Sequence, residues 1–466
     1  MIHRIQIQQI AITLAIFGAS AAQAMTEPGW GHTLTEDMKS LPNTAAAADR
    51  FGYSVALGSI ETTRRLLIGA RGDNDAGVDA GAAYIFDTIT GNQLDKLTAN
   101  DAAPSDMFGY SVDVDRVFFY AVGAPFNDDN GSNSGSAYIF SAFGAQLNKL
   151  LPTDAQPDDQ FGSSIAVDGG IVVVGAPNAL GNTPNSGAAY IFDAFTGDQL
   201  LKLIPSGNSS QFGGSVAIDF DNNLVVVGNT GLGNDKPVYL FNMTTGEELL
   251  QLEQDPPFLD LVDEHFGYSV SIANGIVAVG APLTNFTVDA PGAVYLFNAN
   301  AGNLIEKILP SLPLDGLFGI DVEINNAVLM VGSDTADLFS DGFPGPPTFG
   351  AAYFYDVATS NLIAKLVASD PDTNDKFGSV LALDEGFVAI GAMRDDDLAA
   401  DAGAVYQFDL NCPADLTGDF SLDFFDISAL IAAFFAGDPI GDFNNDGDLN
   451  FFDISAFLTA YSQPCP

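Results

Sequence analysis

FGSSIAVDGGIVVVGAPNALGNTPNSGAAYIFDAFTGDQLLKLI, residues 161–204, holds one complete structural unit. Residues 163–167 read as a strand, and Asp168-Gly169-Gly170 as a tight hairpin turn, because glycine accepts positive φ. Residues 171–174 are a continuous apolar run, the pattern of a strand covered on both faces. Gly175-Ala176-Pro177 stops that strand, and a third follows at 188–192 after a loop. Thr196-Gly197 then turns the chain into a more polar outer strand, 199–204, carrying Lys202. Four antiparallel strands within about 50 residues make one propeller blade.

The same order recurs along most of the chain. Phe-Gly pairs begin at residues 51, 108, 161, 212, 266, 318 and 377, and each is followed by a strand built around Tyr84, Tyr138, Tyr190, Tyr239, Tyr295, Tyr353 or Tyr406. Seven such repeats predict an all-β, seven-bladed propeller over residues 25–410. Ring closure is also readable. A lysine stands 12 residues before the next Phe-Gly at Lys96, Lys149 and Lys365, and Lys39 keeps that distance before Phe51 although no complete blade precedes it. After Phe408 no room remains for an outer strand before Cys412. Residues 34–41 are therefore expected to be the outer strand of the last blade, which removes its open edge.

Phe-Gly-Tyr-Ser-Val at 51–55, repeated at 108–112 and 266–270, together with Gly-Ala-Pro at 123, 175 and 280, resembles the FG-GAP repeat. That repeat is the propeller unit of integrin α-subunit heads and of many bacterial secreted proteins. The resemblance implies the fold and leaves activity open. Integrin-type repeats often hold calcium between their first two strands. Here that connection shrinks to turns, and only Asp219-Phe-Asp-Asn-Asn223 keeps a trace of it.

The two ends of the chain differ from its middle. Arg4, the apolar stretch 10–17 and Ala22-Gln23-Ala24 have the layout of a secretion signal over residues 1–24, too short to span a bilayer. Its removal takes away Arg4 and no acidic residue, leaving 14 basic against 60 acidic side chains. Such a surface repels nucleic acid and anionic lipid and attracts cations. With 47% hydrophobic residues the chain still has ample material for a core. We expect a secreted protein without a membrane span, extracellular or at the cell surface, with the periplasm as the alternative.

After Cys412 the composition changes. Asp415-Leu-Thr-Gly-Asp-Phe-Ser-Leu-Asp-Phe-Phe-Asp426 and Asp442-Phe-Asn-Asn-Asp-Gly-Asp-Leu-Asn-Phe-Phe-Asp453 are two twelve-residue loops, each followed by an apolar helix, 427–435 and 454–461. Oxygen ligands at loop positions 1, 3, 5, 7, 9 and 12 surround a calcium ion. The expected Ca²⁺ ligands are Asp415, Thr417, Asp419, the Ser421 carbonyl, Asp423 and Asp426, then Asp442, Asn444, Asp446, the Asp448 carbonyl, Asn450 and Asp453. Gly447 suits the sharp turn at position 6, where the first loop has Phe420. The doubled pattern resembles the duplicated F-hand of type I dockerins, which implies that residues 411–466 are a small α-helical, dockerin-like calcium-binding module. Dockerins dock into cohesins, which implies a cohesin-like or cell-envelope anchoring partner. The polar pair that cellulosomal dockerins often carry at positions 10 and 11 is Phe424-Phe425 and Phe451-Phe452 here, so the pairs either pack inside the module or meet a different receptor. Cys412 and Cys465 are expected to pair as a disulfide in an exported protein.

Catalytic signatures are scarce. Past the signal only His32 and His265 remain as histidines, and we find no Gly-x-Ser-x-Gly, no His-Glu-x-x-His and no phosphate-cradling loop. Arg71-Gly72-Asp73 spells an integrin-recognised tripeptide and is read as coincidence. The long loops of one propeller face are acidic: Asp73, Asp75 and Asp79; Asp128 and Asp129; Asp395, Asp396 and Asp397; Asp154, Asp158 and Asp159; Asp370, Asp372 and Asp375. Variable loops on a rigid scaffold are where binding concentrates. The expectation is a non-catalytic binding or adhesion protein with a glycan or protein ligand on this face. The alternatives are a propeller polysaccharide lyase or glycoside hydrolase displayed on the same tail, and a purely structural surface component.

Overall fold

The computed structural model describes residues 32–34, 36–60, 63–116, 118–207, 209–231, 236–254, 265–283, 291–310, 316–325, 327–334, 349–372, 374–384, 386–410, 414–416, 422, 424–444 and 447–462. The proposed signal and its cleavage site lie outside them. Seven sheets follow one another along the chain, each holding four antiparallel blade strands in order from first to fourth, and one of them carries a further parallel strand outside its fourth. In blade 3, for example, Ser164–Asp168, Ile171–Ala176, Ala188–Asp193 and Gln199–Leu203 pair in sequence order. The inner strands surround the axis, and buried apolar residues of adjoining sheets pack between blades. This is a seven-bladed, all-β propeller, followed by two C-terminal helices. Among the described residues no helix is long and apolar enough to cross a membrane.

The repeated residues have repeated jobs. In every blade the Phe of Phe-Gly meets the third-strand Tyr edge-on, as in Phe51–Tyr84 at 5.4 Å, Phe161–Tyr190 at 5.6 Å and Phe377–Tyr406 at 5.2 Å. Such buried edge-to-face pairs stabilise by about 1 kcal/mol each beyond their area. The glycine is needed for geometry. Gly52 has φ +81°, and a Cβ there would come within 2.5 Å of the Ala404 carbonyl oxygen. Two residues after the glycine, a serine hydroxyl donates to the carbonyl of the next blade's glycine: Ser54 to Gly109, Ser111 to Gly162, Ser164 to Gly213, Ser215 to Gly267 and Ser269 to Gly319, at 2.8–3.1 Å. Phe-Gly-x-Ser is thus a joint within a blade and a stitch between blades.

The N-terminal segment divides between two blades. Met38–Ser40 pairs antiparallel with Ala404–Asp409 as the outer strand of blade 7, with Lys39 opposite Tyr406. His32–Leu34 instead pairs in parallel with Leu362–Leu366, a fifth strand on blade 6. The stretch expected on blade 7 therefore starts too early at residue 34. Leu34 belongs to the neighbouring sheet, whose outer edge is open to an extra strand on the way in.

Candidate functional site

The acidic loops are gathered rather than splayed. Lys96 donates to Asp73 at 2.8 Å and Asp75 at 2.6 Å while lying over the Tyr84 ring. Lys149 holds Asp101 at 2.6 Å and Asp129 over Tyr138, and Lys202 holds Asp154 at 2.6 Å over Tyr190. Lys39 does the same in blade 7, taking Asp370, Asp395 and Asp397 at 2.6–2.8 Å over Tyr406. Each outer-strand lysine thus ties a loop within its blade, or the loop leading into it, to the third-strand tyrosine. Burial pulls the Lys149 ammonium down, but its bonds to Asp101 and Asp129 outweigh that and lift it above the ordinary lysine range. The two carboxylates remain nearly half exposed, so solvent takes part of the load. Lys149→Met is expected to cost about 2 kcal/mol in urea unfolding, below the full cost of breaking a buried pair. A loss under about 0.5 kcal/mol would show that the clasp is ornamental.

The C-terminal module is built from α1, Phe424–Ala436, and α2, Phe451–Tyr461. Both begin three residues before the expected starts, because the position-12 aspartate lies inside the first turn. In the second unit Asn450 caps α2, and Asp453 answers in a capping box. Gly447 has φ +86°, the left-handed turn that position 6 requires, and its N–H donates to Asp442 at 2.8 Å. The Asn450 N–H donates to Asp453 at 2.7 Å and that of Asn444 at 3.2 Å; the Asn450 bond, ahead of the rest, holds the Asp453 carboxyl below the usual carboxylate range. Asp426 and Asp453 are both fully buried. The described residues of the second loop therefore fit an oxygen-ligated cation. Among the described residues, however, no three His, Cys, Asp or Glu side chains are gathered closely enough to hold a metal. Of the expected ligands, Asp415, Asp426, Asp442, Asn444, Asp448, Asn450 and Asp453 are described, while Thr417, Asp419, Ser421, Asp423 and Asp446 lie outside the described residues, as do Cys412 and Cys465. The small core joins Ala414, Leu430 and Phe457. The aromatic pairs do not enter it: Phe424, Phe425, Phe451 and Phe452 are 65–73% exposed.

The family model described as FG-GAP repeat matches residues 34–86, 92–140, 145–192, 261–297 and 361–408, together half of the chain. The chain belongs to the FG-GAP repeat family. The first match begins at residue 34, so it takes in Met38–Ser40 as an outer strand. Blade 4 and the first three strands of blade 6 are unmatched, and there the Gly-Ala-Pro site of FG-GAP repeats reads Gly228-Asn229-Thr230 and Gly332-Ser333-Asp334. No curated protein matches the chain.

Several FG-GAP positions carry structure that the sequence alone hides. The residue before each Phe-Gly is left-handed: Arg50, Met107, Gln160, Gln211, His265, Leu317 and Lys376 all have φ between 53° and 66°. An aspartate one place earlier folds back in four blades, where Asp49, Asp106, Asp159 and Asp375 accept N–H bonds from Ala46, Ala103, Gln156 and Asp372. Burial pushes all four carboxyls up, that of Asp375 to about 6. Asp159 and Asp375, expected among the ligand-facing acids, thus serve the loop backbone. In Arg71-Gly72-Asp73 the guanidinium lies 4.2 Å from the Tyr53 ring, and the buried Asp73 accepts from Tyr84 and Lys96, so the tripeptide is not displayed. His265 stacks on Tyr268. Asp219 turns inward to take the backbone N–H and side-chain amide of Asn222.

Proposed function

We propose that this chain is a secreted, non-catalytic binding or adhesion protein. Its propeller presents the lysine-clasped loops as a ligand surface, and its tail attaches it to a cell envelope or extracellular assembly in a calcium-dependent manner. Rigid loops favour such a surface, because less conformational entropy is lost on binding. The observation that carries the attachment is the exposure of the same Phe-Phe pair in both loop–helix units. A module with so small a core would bury those rings if they served folding alone, since each buried phenylalanine stabilises by about 2 kcal/mol. Calcium would be held by the oxygens of the two twelve-residue loops, fixing α1 and α2 so that both pairs present together.

The test uses the full chain on a glycan array, alongside a reducing-sugar release assay and pull-down on envelope fractions. Specific binding without sugar release is expected. Replacing the four phenylalanines by serine is expected to weaken attachment at least about tenfold and to leave propeller binding intact. Sugar release would instead support the displayed lyase or hydrolase, and absence of both binding and release a structural component.

A further inference from the structure

The Gly-Ala-Pro site of blade 1 reads Gly69-Ala70-Arg71, so a guanidinium stands where blades 2, 3 and 5 have proline. Arg71 is half-buried and opens the loop between the second and third strands, on the face of the acidic loops. Its guanidinium carbon lies 4.2 Å from the centre of the Tyr53 ring and 5.5 Å from that of Tyr110, and the two rings are 5.0 Å apart. Phe126 flanks Tyr110 at 6.2 Å. Tyr53 and Tyr110 take the third place of Phe-Gly-x-Ser, at the head of the inner strands of blades 1 and 2, where the axis opens on the loop face. Blades 3, 4, 6 and 7 have Ser163, Gly214, Ile320 and Ser379 there, so the paired rings are a local feature.

This guanidinium has found aromatic faces and no oxygen. Its hydrogen bond runs from Nη1 to the Met107 sulfur at 3.3 Å, and its buried Nε has no acceptor. Among the described residues it makes no ion pair, in a chain with 60 acidic side chains. The equivalent place between blades 6 and 7 shows the contrast. There Asp334 stands at the Gly-Ala-Pro site and Lys376 before Phe-Gly, and the two pair at 3.2 Å. Between blades 1 and 2 those places hold Arg71 and Met107, a base facing a thioether. The nearest acids in sequence are engaged elsewhere: Asp73 accepts from Tyr84 and Lys96, and Asp49 from the Ala46 N–H. Arg50, whose carbonyl accepts the Tyr53 N–H at 3.1 Å, brings a second cation to this corner.

We propose that Arg71, Tyr53 and Tyr110 form a carboxylate site at the axial mouth, and that its ligand is a sugar carrying an acid group, a uronic acid. The proposal rests on reading the loop face as a ligand surface. A carboxylate accepts two parallel N–H bonds from a planar guanidinium, the charge-assisted pairing that the chain's own acids do not supply here. The sugar ring brings hydroxyls for the phenols, which both donate and accept, and C–H groups for the aromatic faces. The protein as a whole repels anions, but at physiological salt fields fade beyond about 8 Å. The lysine clasps engage the loop acids closer in, so Arg71 and Arg50 set the local sign.

Titration calorimetry of the full chain with trigalacturonic acid and with its methyl ester, without added calcium, tests this. The ester keeps every ring and removes the charge. The acid is expected to bind at least about tenfold more tightly than the ester, and Arg71→Met to weaken the acid at least about tenfold while the chain still unfolds cooperatively. Equal affinity for acid and ester, or acid binding unchanged in Arg71→Met, overturns the site and leaves the loop face its ligand. Binding of neither form overturns the site as well, and the glycan array decides the wider reading separately. Should Arg71→Met not fold, Arg71→Lys keeps the charge against the rings and loses the planar fork. A loss of at least about threefold is then expected, and equal affinity overturns the site.

Discussion

Deleting residues 25–41 is expected to destabilise the propeller by about 4–6 kcal/mol and to make it self-associate. The deletion removes Met38–Ser40, the backbone pairing to Ala404–Asp409, and the bond from Gln407 to Ser40 at 2.6 Å. It also removes Lys39, leaving Asp370, Asp395 and Asp397 crowded without their cation. Burial lowers the Lys39 ammonium, and the three carboxylates more than restore it, so the clasp counts for the folded state. Exposing the edge of Ala404–Asp409 offers unpaired backbone to a second chain. Removing only residues 25–35 should cost much less, because blade 6 has four strands of its own without His32–Leu34. Thermal unfolding with light scattering measures both. A 25–41 deletion that stays monomeric with an unchanged midpoint would show that the ring does not depend on this strand.

Chelating calcium is expected to melt α1 and α2 while the propeller's β signal persists. Without an ion, Asp442 and Asp453 share one loop with other acidic side chains, and their repulsion opposes docking of the two short helices. With the ion the charge is neutralised, and binding free energy becomes folding free energy, about 2.7 kcal/mol at a hundredfold excess over Kd. The second loop is expected to be the tighter. Gly447 takes its left-handed turn without strain, and Gly447→Val should weaken that site roughly tenfold to a hundredfold, since a β-branched residue there costs about 1–3 kcal/mol. Circular dichroism with and without chelator reads the first effect and calcium titration the second. Unchanged helix content in chelator would count against both.

Much of the fold was legible because the repeat reuses the same contacts. Phe-Gly, the third-strand tyrosine and the outer-strand lysine recur at readable intervals, and in the structure they are one joint: the ring of Phe377 meets Tyr406, over which Lys39 lies. What stayed hidden depends on neighbours in space. The parallel strand His32–Leu34 has too few residues to announce its partner. The aspartate of Ser105-Asp106-Met107-Phe108 reads as an ordinary loop acid, yet it is buried on the Ala103 N–H. In the tail, the doubled pattern pointed to two helices, and the structure has α1 and α2 there. The pattern left the fate of the phenylalanine pairs open, since a ring at the start of a helix can turn either way.

Calorimetric titration of the full chain with calcium, in roughly 0.5 M salt to screen diffuse binding to the acidic surface, tests the proposed attachment most directly. Two saturable ions per chain are expected, one lost with Asp426→Ala and the other with Asp453→Ala. No saturable binding by about 1 mM calcium would contradict a calcium-built tail and the anchoring that rests on it.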